Sequence, residues 1–314
     1  MVQVDLITGF LGAGKTTFLR RYVRYLVEQG HNVCILENDF GAVNVDAMLV
    51  QDLLGPRCDL ETISGGCDCD THQRRMRTKL IAMAMRGFDR VVVEPSGIFD
   101  VDEFFDVLRD DPLDRWYQVG NVIAIVDAML PENLSPQAEY LLASETANAG
   151  RVLLSRTRQA GQAQTAAAAA HLTRALEGCK CSRRFAPEEI LTKDWAQLTG
   201  ADLAALASCG YRQASCEKLH FDEHEAFSSL CFLEQHLTLQ QLQAAADRLF
   251  ADRACGHVLR VKGFAPDPQG TTGWLELNAT AAGKTLAPIP QGQDVLIVIG
   301  EGLDKAAIEA RLKA

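Results

Sequence analysis

Nine residues limit the folding of this chain more than any others: Gly9-Phe10-Leu11-Gly12-Ala13-Gly14-Lys15-Thr16-Thr17. They lie between the apolar run Val2–Thr8 and the helix-patterned stretch Lys15–Gln29. Glycine tolerates backbone angles closed to other residues, so such a segment can curl its successive N–H groups toward one anion at a helix N-terminus. Lys15 then reaches the terminal phosphates of a nucleotide, and the Thr16 hydroxyl is placed for Mg2+. Strand, glycine-rich loop, Lys-Thr pair and helix in that order make the P-loop pattern, with nucleotide contacts expected from Gly9, Gly12, Ala13, Gly14, Lys15, Thr16 and Thr17. The competing reading, an ordinary glycine-rich turn, leaves that coincidence unexplained.

A P-loop implies a layered α/β sheet, and the rest of the chain is patterned for one. Short β-rich apolar runs at Val2–Thr8, Asn32–Leu36, Arg90–Val93, Asn121–Val126 and Arg151–Leu154 alternate with helical stretches. Those stretches are Lys15–Gln29, Thr71–Arg86, Val101–Arg109, Pro136–Ala149 and the alanine-rich Gln162–Leu176. The expected fold class is α/β, a doubly wound, mostly parallel sheet covered on both faces. Pro187–Gln197 and Ala201–Ala207 also read as helical. After the polar stretch Ser215–Glu225, strands Ala226–Phe232, His257–Phe264, Trp274–Asn278 and Val295–Ile299 accompany helices Leu239–Phe250 and Asp304–Leu312. That pattern predicts a small α+β domain with helices on one face of an antiparallel sheet. A chain of 314 residues has room for one large and one small core, so the expected division is 1–210, nucleotide-binding, and 220–314, C-terminal α+β.

Composition narrows the partners. A formal charge of −10 opposes a main role in binding nucleic acid, whose affinity depends on Lys and Arg replacing condensed counterions. No run of about twenty apolar residues suggests a membrane span. The opening MVQVDLITGF is too short an apolar run for a secretory leader, so the ten cysteines are expected as reduced thiols and the protein as cytoplasmic.

A P-loop site needs an acid at the end of a second buried strand to help hold Mg2+. Glu94, following Val91-Val92-Val93, has that place, and Pro95-Ser96-Gly97 turns the chain where a switch loop would sense the terminal phosphate. A solvated strand-end carboxylate is the competing reading.

With these pieces the chain resembles the CobW-like P-loop GTPases, metallochaperones related to the urease and hydrogenase accessory GTPases. The resemblance rests on GFLGAGKTT, Glu37-Asn38-Asp39-Phe40-Gly41 with Asp46, Gly65-Gly66-Cys67-Asp68-Cys69, Glu94-Pro95-Ser96-Gly97 and Val126-Asp127-Ala128. Arg260-Val261-Lys262-Gly263-Phe264 and Ile299-Gly300-Glu301-Gly302-Leu303-Asp304 are similar to that family's second domain. The resemblance implies a switch at Asn38, Asp39, Phe40 and Gly41, with Asp39 standing where the family carries Glu. It implies Lys15, Thr16, Asp39 and Glu94 as the catalytic set, with Mg2+ between Thr16 and Glu94 and either Asp39 or Glu37 orienting water. No arginine finger is evident, so intrinsic hydrolysis should be slow.

The family's metal motif is Cys-x-Cys-Cys, and here Asp70 stands in place of the third cysteine, with His72 two residues beyond. The implied transition-metal ligands are Cys67, Cys69 and Asp70, with Glu37 and Asp39 adding carboxylates. Thiolates favour zinc, while the oxygen ligands leave iron or cobalt open. Cys67 and Cys69 as ordinary thiols beside a glycine turn is the alternative. The family's guanine-reading Asn-Lys-x-Asp aligns with Ser155-Arg156-Thr157-Arg158, so base contacts are expected from Ser155 and Arg156. Arg158 cannot accept hydrogen bonds; GTP follows from the resemblance, and ATP remains open. Two further clusters, His220-Phe221-Asp222-Glu223-His224-Glu225 and Cys179-Lys180-Cys181, read more simply as a solvated linker and structural thiols.

The function implied is nucleotide hydrolysis that gates a bound metal, delivered to a client metalloenzyme or other cofactor-dependent enzyme, with a homodimer as one assembly. The alternative is a nucleotide-gated assembly or reactivation factor without metal cargo; a small-molecule kinase is a third reading.

Overall fold

The structure is a computed structural model that describes residues 1–10, 12–39, 49–64, 69–95, 101–214, 216–217, 228–270, 273–281, 283–289 and 292–313. At positions 38, 39, 64, 69–72, 103 and 228 it describes the backbone alone. Contacts divide these residues into two units, 1–39 with 50–217, and 228–313 with Leu49.

The first unit is built on β1 (Val2–Thr8), β2 (Val33–Asp39), β3 (Cys58–Ser64), β4 (Arg90–Glu94), β5 (Tyr117–Asp127), β6 (Arg151–Ser155) and β7 (Ile190–Leu191). Their order is β3-β2-β4-β1-β5-β6-β7, and every pairing is parallel. Apolar side chains alternate across β1, so each face carries a core. Val4 and Leu6 join Leu80, Phe104, Leu142 and Leu172 of four helices (Cys69–Ala84, Val101–Arg109, Pro136–Ala147 and Thr157–Gly178) on one side. Ile7 joins Phe18, Leu19 and Tyr22 of α1 (Lys15–Glu28), with Leu203 of the helix Gly200–Leu206, on the other. The doubly wound α/β architecture expected from the pattern is therefore what the chain forms. β1 is central: β2 and β4 lie to one side and β5 to the other, so the loop after β1 opens at a topological switch point, where parallel sheets bind ligands.

A buried ion pair sits at the heart of this sheet. Asp5 is fully buried, and its Oδ2 accepts from Arg90 at 2.6 Å and from the Tyr22 hydroxyl at 2.8 Å. Its Oδ1 accepts from the backbone N–H and the side-chain amide of Asn121, at 2.8 and 2.9 Å. A register shift between β1 and β5 falls at this point. Such an irregularity frees a backbone N–H for a side chain to bind.

In this unit the sequence pattern and the structure differ at Pro187–Gln197 and at β3. Pro187–Gln197 is not a helix: it forms 3-10 turns at Pro187–Glu189 and Trp195–Gln197 around the two-residue β7. The exposed edge of β6 offers backbone groups that Ile190 and Leu191 satisfy by pairing with Val152 and Leu153, which overrides local helix preference. β3 has no apolar run to announce it, because it is an edge strand. Its Asp59 and Glu61 reach outward to Arg86 and Lys79.

The second unit is an antiparallel sheet in the order β11-β10-β9-β12-β8, made of β8 (Ser228–Leu233), β9 (His257–Pro266), β10 (Trp274–Thr280), β11 (Gly283–Ile289) and β12 (Val295–Glu301). Helices Leu239–Ala251 and Lys305–Leu312 pack Leu242, Ala245, Leu249, Ile308 and Leu312 into its core. Thr238 and Gln241 form a reciprocal cap at the start of the first of these helices. β11, almost wholly exposed, is the edge strand the pattern does not reveal.

Candidate functional site

The loop after β1 turns on three glycines with positive φ: 136° at Gly9, 83° at Gly12 and 104° at Gly14. At Gly9 no other residue fits, since an added Cβ would lie 2.2 Å from the carbonyl oxygen of Ile125 on β5. Gly14 begins α1 with no capping side chain and no acid in the first turn, which leaves the first-turn N–H groups and the helix dipole directed at the loop. Lys15 is buried and its Nζ donates to the Gly9 carbonyl at 2.7 Å, closing a ring over the loop.

Glu94 ends β4, and its Oε1 accepts from the Thr16 hydroxyl at 2.8 Å. Glu37 of β2 stands in register beside Glu94, and both are nearly excluded from solvent, at 2% and 6% exposure. Parallel strands 78 residues of sequence away from α1 thus deliver a carboxylate to its first hydroxyl. Hard oxygen donors grouped at the head of a phosphate loop suit Mg2+.

Glu145, Trp195 and the pairing of Asp127 with Arg156 were not foreseen from the sequence. Glu145, on the helix Pro136–Ala147, is 1% exposed, accepts from the Gly9 N–H at 2.7 Å and also accepts from the Thr8 hydroxyl. The sequence signal was there: one acid among Leu141, Leu142, Ala143 and Ala147, on a helix buried nearly all round. Asp127, at the end of β5, pairs with Arg156, whose NH2 also donates to the Gly12 carbonyl at 3.1 Å. Arg156 has φ 54° and starts the helix Thr157–Gly178. Trp195 packs edge-on against Phe18, and its ring would meet a Cβ at Gly14 at 3.4 Å.

Ser155 closes β6 at 3% exposure, beside Gly14. Next to it lies a cavity of about 730 Å3 whose two walls are the start of the helix Thr157–Gly178 and the segment 192–197. Arg158 lines one wall and Asp194 the other. The volume is in the range of small-molecule sites.

Several expected site residues fall outside what is described. Phe40, Gly41, Asp46, Cys67, Ser96, Gly97 and the run His220–Glu225 are outside the described residues, as are the side chains of Asn38, Asp39, Cys69, Asp70 and His72. Among the described residues no group of three or more His, Cys, Asp or Glu is placed to hold a metal ion. Cys179, Cys181 and Cys216 come together against the first core, where burial pushes the Cys179 and Cys216 thiols up. Among the described residues no helix is long and apolar enough to cross a membrane.

Residues 3–182 match the family model for the CobW/HypB/UreG nucleotide-binding domain. The zinc chaperone YjiA of Escherichia coli is 32% identical over 173 residues, covering 52% of each chain. The zinc chaperone YeiR of the same organism is 30% identical over 131 residues, 41% of this chain and 39% of that one. The chain thus spans about half the length, or less, of the curated relatives it matches. Among solved structures, a Zn(II)-bound YjiA GTPase from E. coli superposes over 99% of this chain and 98% of its own, at 22% identity and a TM-score of 0.39. With its loop, strand-end acid and helix matched over more than half its length, the chain belongs to the CobW/HypB/UreG family.

Proposed function

We propose that the chain hydrolyses GTP and uses the nucleotide state to hold or release a divalent transition metal, zinc first, for a client metalloprotein. The observation that carries the first half is the meeting of Lys15, the Thr16 hydroxyl and the Glu94 carboxylate at the head of α1. Family membership and the names of relatives called zinc chaperones support the second half.

In this reading the N–H groups of Gly12, Ala13, Gly14, Lys15, Thr16 and Thr17 surround the phosphates. Lys15 exchanges the Gly9 carbonyl for a phosphate oxygen, and Thr16 with Glu94 holds Mg2+. Bound Mg2+ supplies neutralisation of charge on the phosphates. Glu145 fixes the Gly9 N–H, so the loop is shaped before the ligand arrives. Asp39 or Glu37 orients the water, and Ser155 with Arg156 flanks the nucleoside. Cys67, Cys69 and Asp70, with Glu37 and Asp39, are the proposed transition-metal ligands. Glu37, beside Glu94, lets that metal and the phosphates share one wall. Metal and nucleotide affinities must then shift by the same factor, because coupling between two binding sites is reciprocal.

The test is a zinc titration of reduced protein with GTP, GDP, ATP or no nucleotide. A metal affinity that changes with nucleotide, and is lost in Cys67→Ser/Cys69→Ser, supports the reading; equal affinity in all four conditions removes it. Asp70 in place of a third thiol favours attention to a second reading, an assembly factor without metal cargo. Unchanged metal content in the double variant, with nucleotide-dependent client binding intact, would select that one.

A further inference from the structure

The helix Thr157–Gly178 ends in a left-handed cap. Lys180 has φ 48° and its N–H donates to the Glu177 carbonyl at 3.0 Å, while the Cys181 N–H donates to the Leu176 carbonyl at 2.9 Å. A residue in the place of Cys181 turns back onto the last turn of its helix, and Cys181 is accordingly 3% exposed, in one core with Leu176. The chain returns beside this cap at 216–217: the Glu217 N–H donates to the Cys179 carbonyl at 2.9 Å, and Lys180 Nζ pairs with Glu217 at 2.6 Å. That clamp lays Cys216 against Cys181, and the two thiols share a hydrogen bond.

The surroundings suit a pair of thiols that react with each other. Cys216 is half-buried and Cys181 is buried, so a reagent from solvent meets Cys216 first. A cavity of about 500 Å3 lies beside the pair, with Asp102, Ser182, Gln213 and Ala214 among its lining residues. Burial pushes the Cys216 thiol well above its ordinary value, and the Cys181 hydrogen bond, Cys179 and Asp102 push it the same way. A protonated thiol is a slow nucleophile and a poor metal ligand. Two thiols in contact, however, are one oxidation away from a disulfide, which carries no charge and suits a buried place.

We propose that Cys181 and Cys216 are a redox modification site, closed into a reversible disulfide by exchange with a small-molecule disulfide such as oxidised glutathione. The Cys216 thiolate attacks one sulfur of the oxidant and expels the other as a thiolate. The Cys181 thiolate then attacks the Cys216 sulfur of that mixed disulfide and expels the second small thiolate. Two protein thiols are oxidised, one small disulfide is reduced to two thiols, and the two protons lost by the protein pass to the expelled thiolates. The ring so closed, 181–216, contains β7, Trp195 with its side chain beside Gly14, and the helix Gly200–Leu206, whose Leu203 shares a core with α1. Closing it removes freedom from that layer in the unfolded chain, so the oxidised protein is the more stable form.

The experiment incubates the reduced full chain, without denaturant, with oxidised glutathione at about pH 8.5, near the ordinary thiol value, until the reaction stops. Remaining thiols are then blocked with iodoacetamide and the disulfides mapped by mass spectrometry. The expected product is a peptide pair joining Cys181 to Cys216, with a melting temperature about 5–10 °C above that of the reduced protein and full reversal by dithiothreitol. Cys179→Ser should keep the linkage and the rise. Cys216→Ser should lose both, and Cys181→Ser should stop at the mixed disulfide, with glutathione held on Cys216. The linkage is read first in the unaltered chain, so a variant that fails to fold does not decide the outcome. Glutathione retained on Cys216 of the unaltered chain, a linkage through Cys179, or recovery of all three thiols as iodoacetamide adducts overturns the proposal. The nucleotide reading stands in each case, because no step here uses the phosphate loop.

Discussion

Glu145 holds the first amide of the phosphate loop from a helix 136 residues away in sequence, and a buried acceptor in that position is costly to remove. Replacing it with alanine leaves the Gly9 N–H and the Thr8 hydroxyl buried without their acceptor, at about 1–3 kcal/mol for each orphaned group. Glu145→Ala should therefore lower the chemical-denaturation midpoint and weaken nucleotide binding together, while Glu145→Gln, which retains an oxygen acceptor, should stay close to the unaltered protein. Equal losses in both variants would show that charge, not the acceptor, matters. The sequence made Lys15 and Thr16 legible because their chemistry is local: a loop of glycines, a cation and a hydroxyl are adjacent along the chain. Glu145 left a fainter mark, one acid within an apolar helical run, and its role went unread because an acid on a helix is usually solvated until the packing shows otherwise.

At the scale of the elements, Asp5 ties β1, β4, β5 and α1 through Arg90, Asn121 and Tyr22. Removing one partner of a buried ion pair strands the other, so Asp5→Ala should cost about 3–5 kcal/mol in urea unfolding; a loss under about 1 kcal/mol would mean that Arg90 finds water. The neighbouring strands β2 and β3 carry two buried thiols, and burial pushes Cys34 up to about 12 and Cys58 up to about 11, from an ordinary 9.0. A raised thiol value means the folded state favours the protonated form. Their contribution to stability is full below about pH 9 and is lost as pH rises through 11 to 12. Iodoacetamide at pH 8 should leave both thiols unlabelled in the folded protein and label them in urea; ready labelling of Cys34 in the folded state would contradict the placement of β2. Element type followed from periodicity wherever a strand was buried on both faces, as at β4 and β6. At the edge strands β3, β7 and β11 it did not, because one side of an edge strand meets solvent or charge and carries no continuous apolar run.

At the scale of the whole molecule the chain divides into two units, each with apolar cores of its own, and the phosphate loop belongs to the first. Ligand that binds only the folded state stabilises it by about 2.7 kcal/mol at a hundredfold excess over its dissociation constant. GTP with Mg2+ should raise the melting temperature of the intact chain, and Lys15→Ala should abolish that rise while leaving the melt without nucleotide within a few degrees. A rise that persists in Lys15→Ala would place the nucleotide elsewhere. The sequence by itself determined that a glycine-rich loop would follow the first strand and open a helix, and that the sheet would be parallel and covered on both faces. Both follow from local causes, the backbone freedom of glycine and the spacing of apolar residues. Only the tertiary structure decided which distant groups meet there: Glu94 with Thr16, Glu145 with Gly9, Arg156 with Asp127 and Gly12, and Arg158 facing Asp194. Those meetings depend on strand order and register, which bring residues tens to more than a hundred positions apart to the same end of the sheet, and no local pattern along the chain carries that order.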